Sequence, residues 1–502
     1  MENPSVPSIV AGMPEAMARP SLRAQLLNAG AWSALASISS QFLRFGSSLV
    51  LTRLLFPEAY GLYALVMTYV TGITMFSDIG LSSFLFQSAR AGDRKFDDVI
   101  WSVGIVRGVL VALIATGAAY PMAVFYGQPK LCSLLLVASI AMLVSPLTST
   151  KITVARRDLR YRELAIYGFA NHLASVVLVL LLGWWFRSVW ALVIGGVLGS
   201  AVQALSSQLL FPGPRNRWRW DRRLIRELRG FSRWIYGSSV MTFLGAQADR
   251  LILGKLMPME FLGIYGIAQS LPQLALSMVQ MGAAPLPSVI VQLRHRSDLG
   301  IQRKMQEARR LLLGTGVLLA AGVCVASPAF FALLYDPRYS RAGTIGALLA
   351  VGIWASILEA SLGDALLAFG DARGAACCSM ARLAGSLVGA TGGYLLGGIY
   401  GLMVGLSFGS GSVYALSVVL LRRHGIRIGW SDARYCLAFV CLAGLGWGCA
   451  LIVRRLKPEW SITPSSTIGA VVVALAWLMY EREHLRYFGH LGWARVRGRI
   501  AT

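Results

Sequence analysis

Apolar stretches long enough to cross a bilayer follow one another through this chain almost without interruption, and no other feature limits the fold so strongly. They fall at about residues 28–52, 60–88, 99–126, 131–150, 164–184, 189–210, 234–254, 261–290, 311–334, 343–369, 375–396, 400–421, 433–453 and 464–480. A spanning helix needs roughly 20 apolar residues. Only helices and closed barrels satisfy their backbone inside lipid, and the period-two alternation of a barrel strand is absent. Charged residues make up 14% of the 502, against about 25% in soluble domains, which argues against a water-soluble enzyme. The sequence therefore predicts an all-α polytopic membrane protein of about 14 transmembrane helices.

The formal charge of +24 comes from 47 Lys and Arg against 23 Asp and Glu. With both termini placed on one side, 34 of these basic residues fall on that side, nine on the other, and four within or at the ends of spans. Positive loops stay cytoplasmic, so the N- and C-termini are expected inside. The longest basic run, FPGPRNRWRWDRRLIRELRGFSR, interleaves arginine with tryptophan as a nucleic-acid surface does. In a polytopic chain it reads instead as a membrane-surface segment, with Trp218 and Trp220 among headgroups and its arginines facing anionic lipids. No nucleic-acid partner is expected. The seven cysteines and five histidines do not cluster, so neither a metal site nor a disulfide framework is expected. There is no G-x-x-x-x-G-K-[ST] loop, no nucleophile elbow and no catalytic carboxylate pair. No catalytic residues and no cofactor are expected.

The chain repeats itself. LTRLLFPEAYGLYAL at 51–65 aligns at a constant offset of 202 residues with LGKLMPMEFLGIYGI at 253–267, matching Glu58, Gly61 and Tyr63 to Glu260, Gly263 and Tyr265. Each copy closes one span and opens the next, so spans 1–2 correspond to spans 7–8 in the same orientation. Such a repeat predicts two parallel six-helix bundles around a central cavity, related by an axis along the membrane normal. The expected organisation is a cytoplasmic tail (1–25), an N-terminal six-helix lobe (26–211), a basic inter-lobe segment (212–233), a C-terminal six-helix lobe (234–421), helices 13 and 14 (422–480) and a basic cytoplasmic tail (481–502).

Ionisable groups at bilayer depth are costly and mark pathways or partners. Arg44, Arg107 and Arg250 are the candidate anion ligands, since a guanidinium presents a fixed fork of donors to phosphate oxygens. Pairing of Arg44 with Asp78, or of Arg250 with Asp249, is the structural alternative. Glu359, Asp364 and His172 are candidate ion-coupling groups. Glu359 and Asp364 lie about 140° apart around one helix, so they do not share a face, and pairing of a carboxylate with Arg382 is the competing expectation. Pro272, Pro285 and Pro287 interrupt span 8.

LLNAGAWSALASISSQFLRFGSSLVLTRLLFPEAYGLYAL with FSDIGLSSFLFQS, and QADRLILGKLMPMEFLGIYGIAQSLPQL at 247–274, resemble the bacterial oligosaccharide flippases. These form the polysaccharide transporter branch of the multidrug/oligosaccharidyl-lipid/polysaccharide exporter superfamily. The resemblance implies a cell inner-membrane protein of two six-helix lobes plus two C-terminal helices. It implies movement of undecaprenyl-diphosphate-linked oligosaccharide repeat units between leaflets by alternating access, for polysaccharide biosynthesis such as exopolysaccharide or O-antigen. Coupling to a proton or sodium gradient, and association with polysaccharide polymerase and export machinery, belong to the same expectation. It assigns Arg44, Arg107 and Arg250 to diphosphate contact. The repeat places Ala246 opposite Arg44, so the two lobes are electrically unlike. A peptidoglycan-precursor flippase, a drug/cation antiporter of the superfamily, or a membrane enzyme acting on lipid-linked sugars are the alternatives.

Overall fold

In a computed structural model the chain is described over residues 22–480, apart from 79, 82–83, 86–87, 89, 91, 159, 285, 288–289, 291–300, 363–364, 427–429 and 457–461. The tails expected at 1–25 and 481–502 therefore lie largely outside the described residues. The helices are α1 (Leu22–Leu54), α2 (Pro57–Phe76), α3 (Arg94–Tyr126), α4 (Pro129–Val144), α5 (Lys151–Arg157), α6 (Tyr161–Phe186), α7 (Val189–Leu209) and α8 (Arg222–Leu256). They continue as α9 (Met259–Ala268), α10 (Ser270–Ala283), α11 (Ile301–Leu334), α12 (Arg341–Ala360), α13 (Ala365–Ala368), α14 (Ala372–Leu406), α15 (Phe408–Arg423), α16 (Trp430–Leu456) and α17 (Ile462–Tyr480).

The described residues contain no strand. Ten helices or helix pairs among them are long and apolar enough to cross a membrane. Of the fourteen apolar stretches, those on α1 and α8 carry too many polar side chains to meet that measure, and those on α15 and α17 are short. The protein is thus an all-α polytopic membrane protein. Its outward side chains agree: Leu396 is 92% and Trp185 77% exposed, a surface that only lipid covers at little cost.

Local chemistry sets the helix ends. Pro57 and Pro129 open α2 and α4 at the first turn, where the missing N–H is not needed. Asp93 caps α3 by accepting from the Lys95 N–H at 3.1 Å, and Gly127, at φ 64°, closes it. Asp221 caps α8 through the Arg223 N–H at 2.8 Å, so the expected basic inter-lobe segment is already helical from Arg222 onward. Span 8 is divided at Gln269 into α9 and α10, because Pro272 cannot donate to the carbonyl of Ala268. α14 doubles back at Gly397–Gly398, where Gly398 adopts φ 57°. Its two arms cross so closely that a methyl group at Gly393 would overlap the Gly401 carbonyl, and the reverse.

Helix pairing recurs along the chain. α1 packs on α6, α2 on α4, α3 on α4, α4 on α7 and α6 on α7. From α8 onward, α8 packs on α14, α9 and α10 on α12, α11 on α12, α12 on α15 and α14 on α15. α16 and α17 pack on each other and on α11. The α1–α7 half and the α8–α15 half meet chiefly through α2 against α8 and α9. The connecting segment belongs to the first half: the Arg217 N–H donates to buried Asp98 and the Arg219 N–H to Ser102, both at 2.9 Å. Asn216 adds bonds to Ser149 and Thr150 at 2.6 and 2.8 Å. Held this way, Trp218 and Trp220 stack with centroids 6.3 Å apart and stay exposed.

Candidate functional site

The two copies of the repeat touch each other. Gly61 of α2 lies so close to the second copy that an added methyl would overlap the carbonyl oxygen of Met259. A methyl at Gly263 would likewise overlap that of Pro57. Glycine at both matched positions lets the two backbones meet directly. Around this crossing the buried tyrosine Tyr339 donates to the Leu55 carbonyl at 3.1 Å and meets Tyr60 edge-on. Arg338 donates to the Arg53 carbonyl at 3.2 Å and lies 4.7 Å from the centre of the Phe56 ring. It also forks onto Asp336 at 2.8 and 3.1 Å; these bonds and its backbone N–H hold the Asp336 carboxyl below the usual carboxylate range. Lys255 reaches the Phe125 carbonyl. The halves are sealed at the end of the molecule that carries the α1–α2 and α8–α9 connections.

Arg44 sits on the face of α1 shared by Ser40 and Ser48, four residues to either side. Ser48 pairs with Tyr335 of α11 at 3.0 Å, and Phe45 packs on Phe330, so this face turns toward the second half. Arg44 is exposed and, among the described residues, its guanidinium makes no hydrogen bond or ion pair. His172 of α6 lies close to it and to the Ser40 backbone; the Nε2 of His172 has no partner. Asp78 receives the Gly80 N–H at 2.9 Å, and no bond joins it to Arg44.

Arg107 stands elsewhere. Its Nε donates to the Ser77 carbonyl at 2.7 Å, and a terminal nitrogen to the Thr74 carbonyl at 2.9 Å and the Ser77 hydroxyl at 3.0 Å. It closes the C-terminus of α2, where orphan carbonyls favour a cation. Arg250 belongs to a third group, bonded to Gln247 at 3.2 Å and Gln269 at 3.3 Å. Gln269 donates to Asp249 at 2.7 Å, and so does the Tyr265 hydroxyl at 2.8 Å. The three candidate arginines are therefore not brought to one point by the bonds they make.

Glu359 pairs with Arg382 across α12 and α14, the competing expectation for that carboxylate. The pair lines a cavity of about 530 Å³ inside the second half, with Gln280, Ser356, Ser379 and Ser417. Asp364 lies outside the described residues. In a buried cluster with no local signal in the sequence, Arg309 donates to Asp432 at 2.6 Å and to Ser361, while Tyr414 also donates to Asp432. Gln247 and Gln269 are neutral amides whose one signal in the sequence is their position within apolar spans. No group of three or more His, Cys, Asp or Glu able to hold a metal ion occurs among the described residues.

The model of a family described as "polysaccharide biosynthesis protein" matches residues 50–293. The succinoglycan biosynthesis transport protein ExoT of Rhizobium meliloti (strain 1021) is 24% identical over 324 residues, covering 64% of this chain and 64% of that protein. The chain thus spans under two-thirds of that relative's length. The teichuronic acid biosynthesis protein TuaB of Bacillus subtilis (strain 168) is 21% identical over 70% of this chain and 73% of its own. Among solved structures, the lipid II flippase MurJ in an inward closed conformation superposes with TM-score 0.68 at 11% identity, over 90% of this chain and 99% of that one. An inward-facing multidrug transporter of the MATE family and MOP superfamily gives 0.60 at 11% identity, over 76% and 94%. At such identities the superpositions speak for the fold alone.

Proposed function

We propose that this chain, a polytopic bacterial membrane protein of the multidrug/oligosaccharidyl-lipid/polysaccharide exporter superfamily, flips undecaprenyl-diphosphate-linked oligosaccharide repeat units from the cytoplasmic to the periplasmic leaflet. The observation that carries this reading is Arg44: an exposed guanidinium about 15 Å from the end of α1 at 1.5 Å per residue, on the face that looks across to the second half. A charge left in that position without a bonded partner suits an anionic cargo. The names of the relatives, which speak of succinoglycan transport and teichuronic acid biosynthesis, support a polysaccharide pathway as its setting.

The recurring helix pairing supports two six-helix lobes, at 26–211 and 234–421, with α16 and α17 appended. The bias of basic loops supports cytoplasmic termini, which makes the sealed end periplasmic. A sugar diphosphate cannot enter hydrocarbon, whereas its prenyl chain can stay there. The lobes need only shelter the headgroup, close behind it and open at the periplasmic end. No covalent step is involved. Binding has to favour neither state strongly, because a cargo shifts the equilibrium only by its differential affinity. An ion gradient would supply direction; Glu359, Asp364 and His172 remain the candidates for proton or sodium coupling. Anionic lipids are partners for the Trp218–Trp220 segment, and polymerase and export machinery would receive the product.

Translocation of labelled undecaprenyl-diphosphate glycans in proteoliposomes tests the reading. Arg44→Ala should slow transfer about 10- to 100-fold, the loss expected when charge-assisted hydrogen bonds worth ~1.5–3 kcal/mol disappear, while folded protein in the membrane is unchanged. Undiminished transfer rejects the role of Arg44, and absence of protein-dependent transfer across several glycans and imposed gradients rejects the function.

A further inference from the structure

We infer that the half-buried network of Asp249, Arg250, Gln247 and Gln269 at the α9–α10 break is a subsite for neutral sugar hydroxyls, separate from the diphosphate contact at Arg44. This rests on the proposed function and divides its cargo into two recognition problems.

Charge distinguishes the two places. Asp249 and Arg250 have opposite formal charges and share Gln269, which donates to Asp249 at 2.7 Å and accepts from Arg250 at 3.3 Å. Gln247 accepts from Arg250 on the other side, at 3.2 Å. The group is closed on itself and electrically compensated. A diphosphate requires excess positive charge. A sugar hydroxyl, both donor and acceptor, requires carboxylate, amide and guanidinium groups side by side, without net charge. Arg44, with no bonded partner, has the opposite character.

Exposure points the same way. A purely structural polar cluster in apolar helices would be buried and saturated. Here Tyr265 alone is sealed, at 2% exposed, and its hydroxyl fixes the Asp249 carboxylate at 2.8 Å. Asp249, Arg250, Gln247 and Gln269 are all partly open. Each can exchange one bond of the network for a bond to a ligand. Gln269 stands in the turn before Pro272, where the helix lacks one backbone bond, and its neighbour Ser270 lies beside Tyr335, the tyrosine that Ser48 of α1 reaches. The network therefore adjoins the face of α1 that carries Arg44.

The network and Arg44 lie at overlapping depth. Arg250 is six residues from the end of α8, Gln269 ten from the start of α9 and Arg44 ten from the end of α1, about 9, 15 and 15 Å at 1.5 Å per residue. A headgroup below the sealed end would meet both, its sugars at the network and its diphosphate at Arg44.

The test is equilibrium binding to the full-length protein in detergent, using an undecaprenyl-diphosphate tetrasaccharide and sugar-free undecaprenyl diphosphate as the two probes. Gln269→Ala and Asp249→Asn should weaken the glycan at least 10-fold and leave the sugar-free probe within 2-fold. Arg44→Ala should weaken both. Gln269→Glu, which keeps the acceptor and removes the amide donor, serves as a second variant if either of the first fails to fold. Equal weakening of both probes by the Gln269 and Asp249 variants, or no weakening of the glycan, overturns the subsite. Wild-type protein that binds the sugar-free probe as tightly as the glycan also overturns it, while leaving the diphosphate reading intact. Wild-type protein that binds neither overturns both.

Discussion

At the scale of single residues, Arg309 and Asp432 are the most demanding pair. Their side chains are 3% and 4% exposed and bonded at 2.6 Å, with Ser361 and Tyr414 filling further positions around them. Removing one partner strands the other charge at a cost of about 3–5 kcal/mol, whereas removing both together costs far less. Arg309→Ala should therefore lower the thermal midpoint in detergent steeply, and Arg309→Met with Asp432→Leu should recover most of it. The sequence hid this pair for a physical reason. Arg309 stands beside Arg310 at the start of an apolar run and looks like any basic loop residue. Its partner lies 123 residues away. Asp336 gives a pH signature of its own. Its folded carboxyl is held below the usual range by Arg338, so the pair's contribution is fully present above the unfolded value near 3.9. It is lost as pH falls through the lower folded value. Thermal unfolding of wild type and Asp336→Asn should differ by the same amount from pH 7 to about pH 5 and converge as pH falls through the lowered folded value.

At the scale of elements, the glycines of the repeat illustrate what spacing reveals. A constant offset of 202 residues aligned Gly61 with Gly263, because self-similarity is a property of the string. That the two aligned segments would be pressed against each other is a property of the fold, and nothing local announces it. The all-helical, polytopic character was legible for the opposite reason: apolar run length is local, and lipid leaves the backbone few other choices. Neutral side chains were harder to see. Gln247 and Gln269 carry no charge to stand out, and only the break before Pro272 draws attention to their surroundings. The glycine crossing is testable. Gly61→Val would place side-chain atoms where Met259's carbonyl lies and Gly263→Val where Pro57's lies, so either should hold the α1–α2 end apart. A cysteine introduced at Tyr339, which is 0% exposed, should then react with a membrane-impermeant maleimide at least 10-fold faster than in the parent. Unchanged labelling would mean that the crossing yields elsewhere.

For the whole molecule, the question is whether the sealed end must part during each cycle. The two halves meet there through one continuous buried cluster containing Leu62, Leu65 and Tyr69 from the first, and Leu253, Leu262 and Tyr265 from the second. In lipid such contact gains little from apolar burial itself and rests on close packing and a few polar bonds. Ser48 and Tyr335 bridge the halves directly, hydroxyl to hydroxyl at 3.0 Å. None of the seven native cysteines occupies either position. A Ser48→Cys, Tyr335→Cys pair in a cysteine-free background should be bridged by a bifunctional methanethiosulfonate reagent that spans the length of the lost phenol ring, and bridging should stop glycan transfer in proteoliposomes. Reduction should restore transfer, and each single variant should keep it. Cross-linked protein that still binds the glycan but cannot deliver it would separate recognition from release. Cross-linked protein that transports at the parental rate would show that cargo leaves by a path which does not part these helices, and alternating access between the two halves would be the wrong description of the cycle.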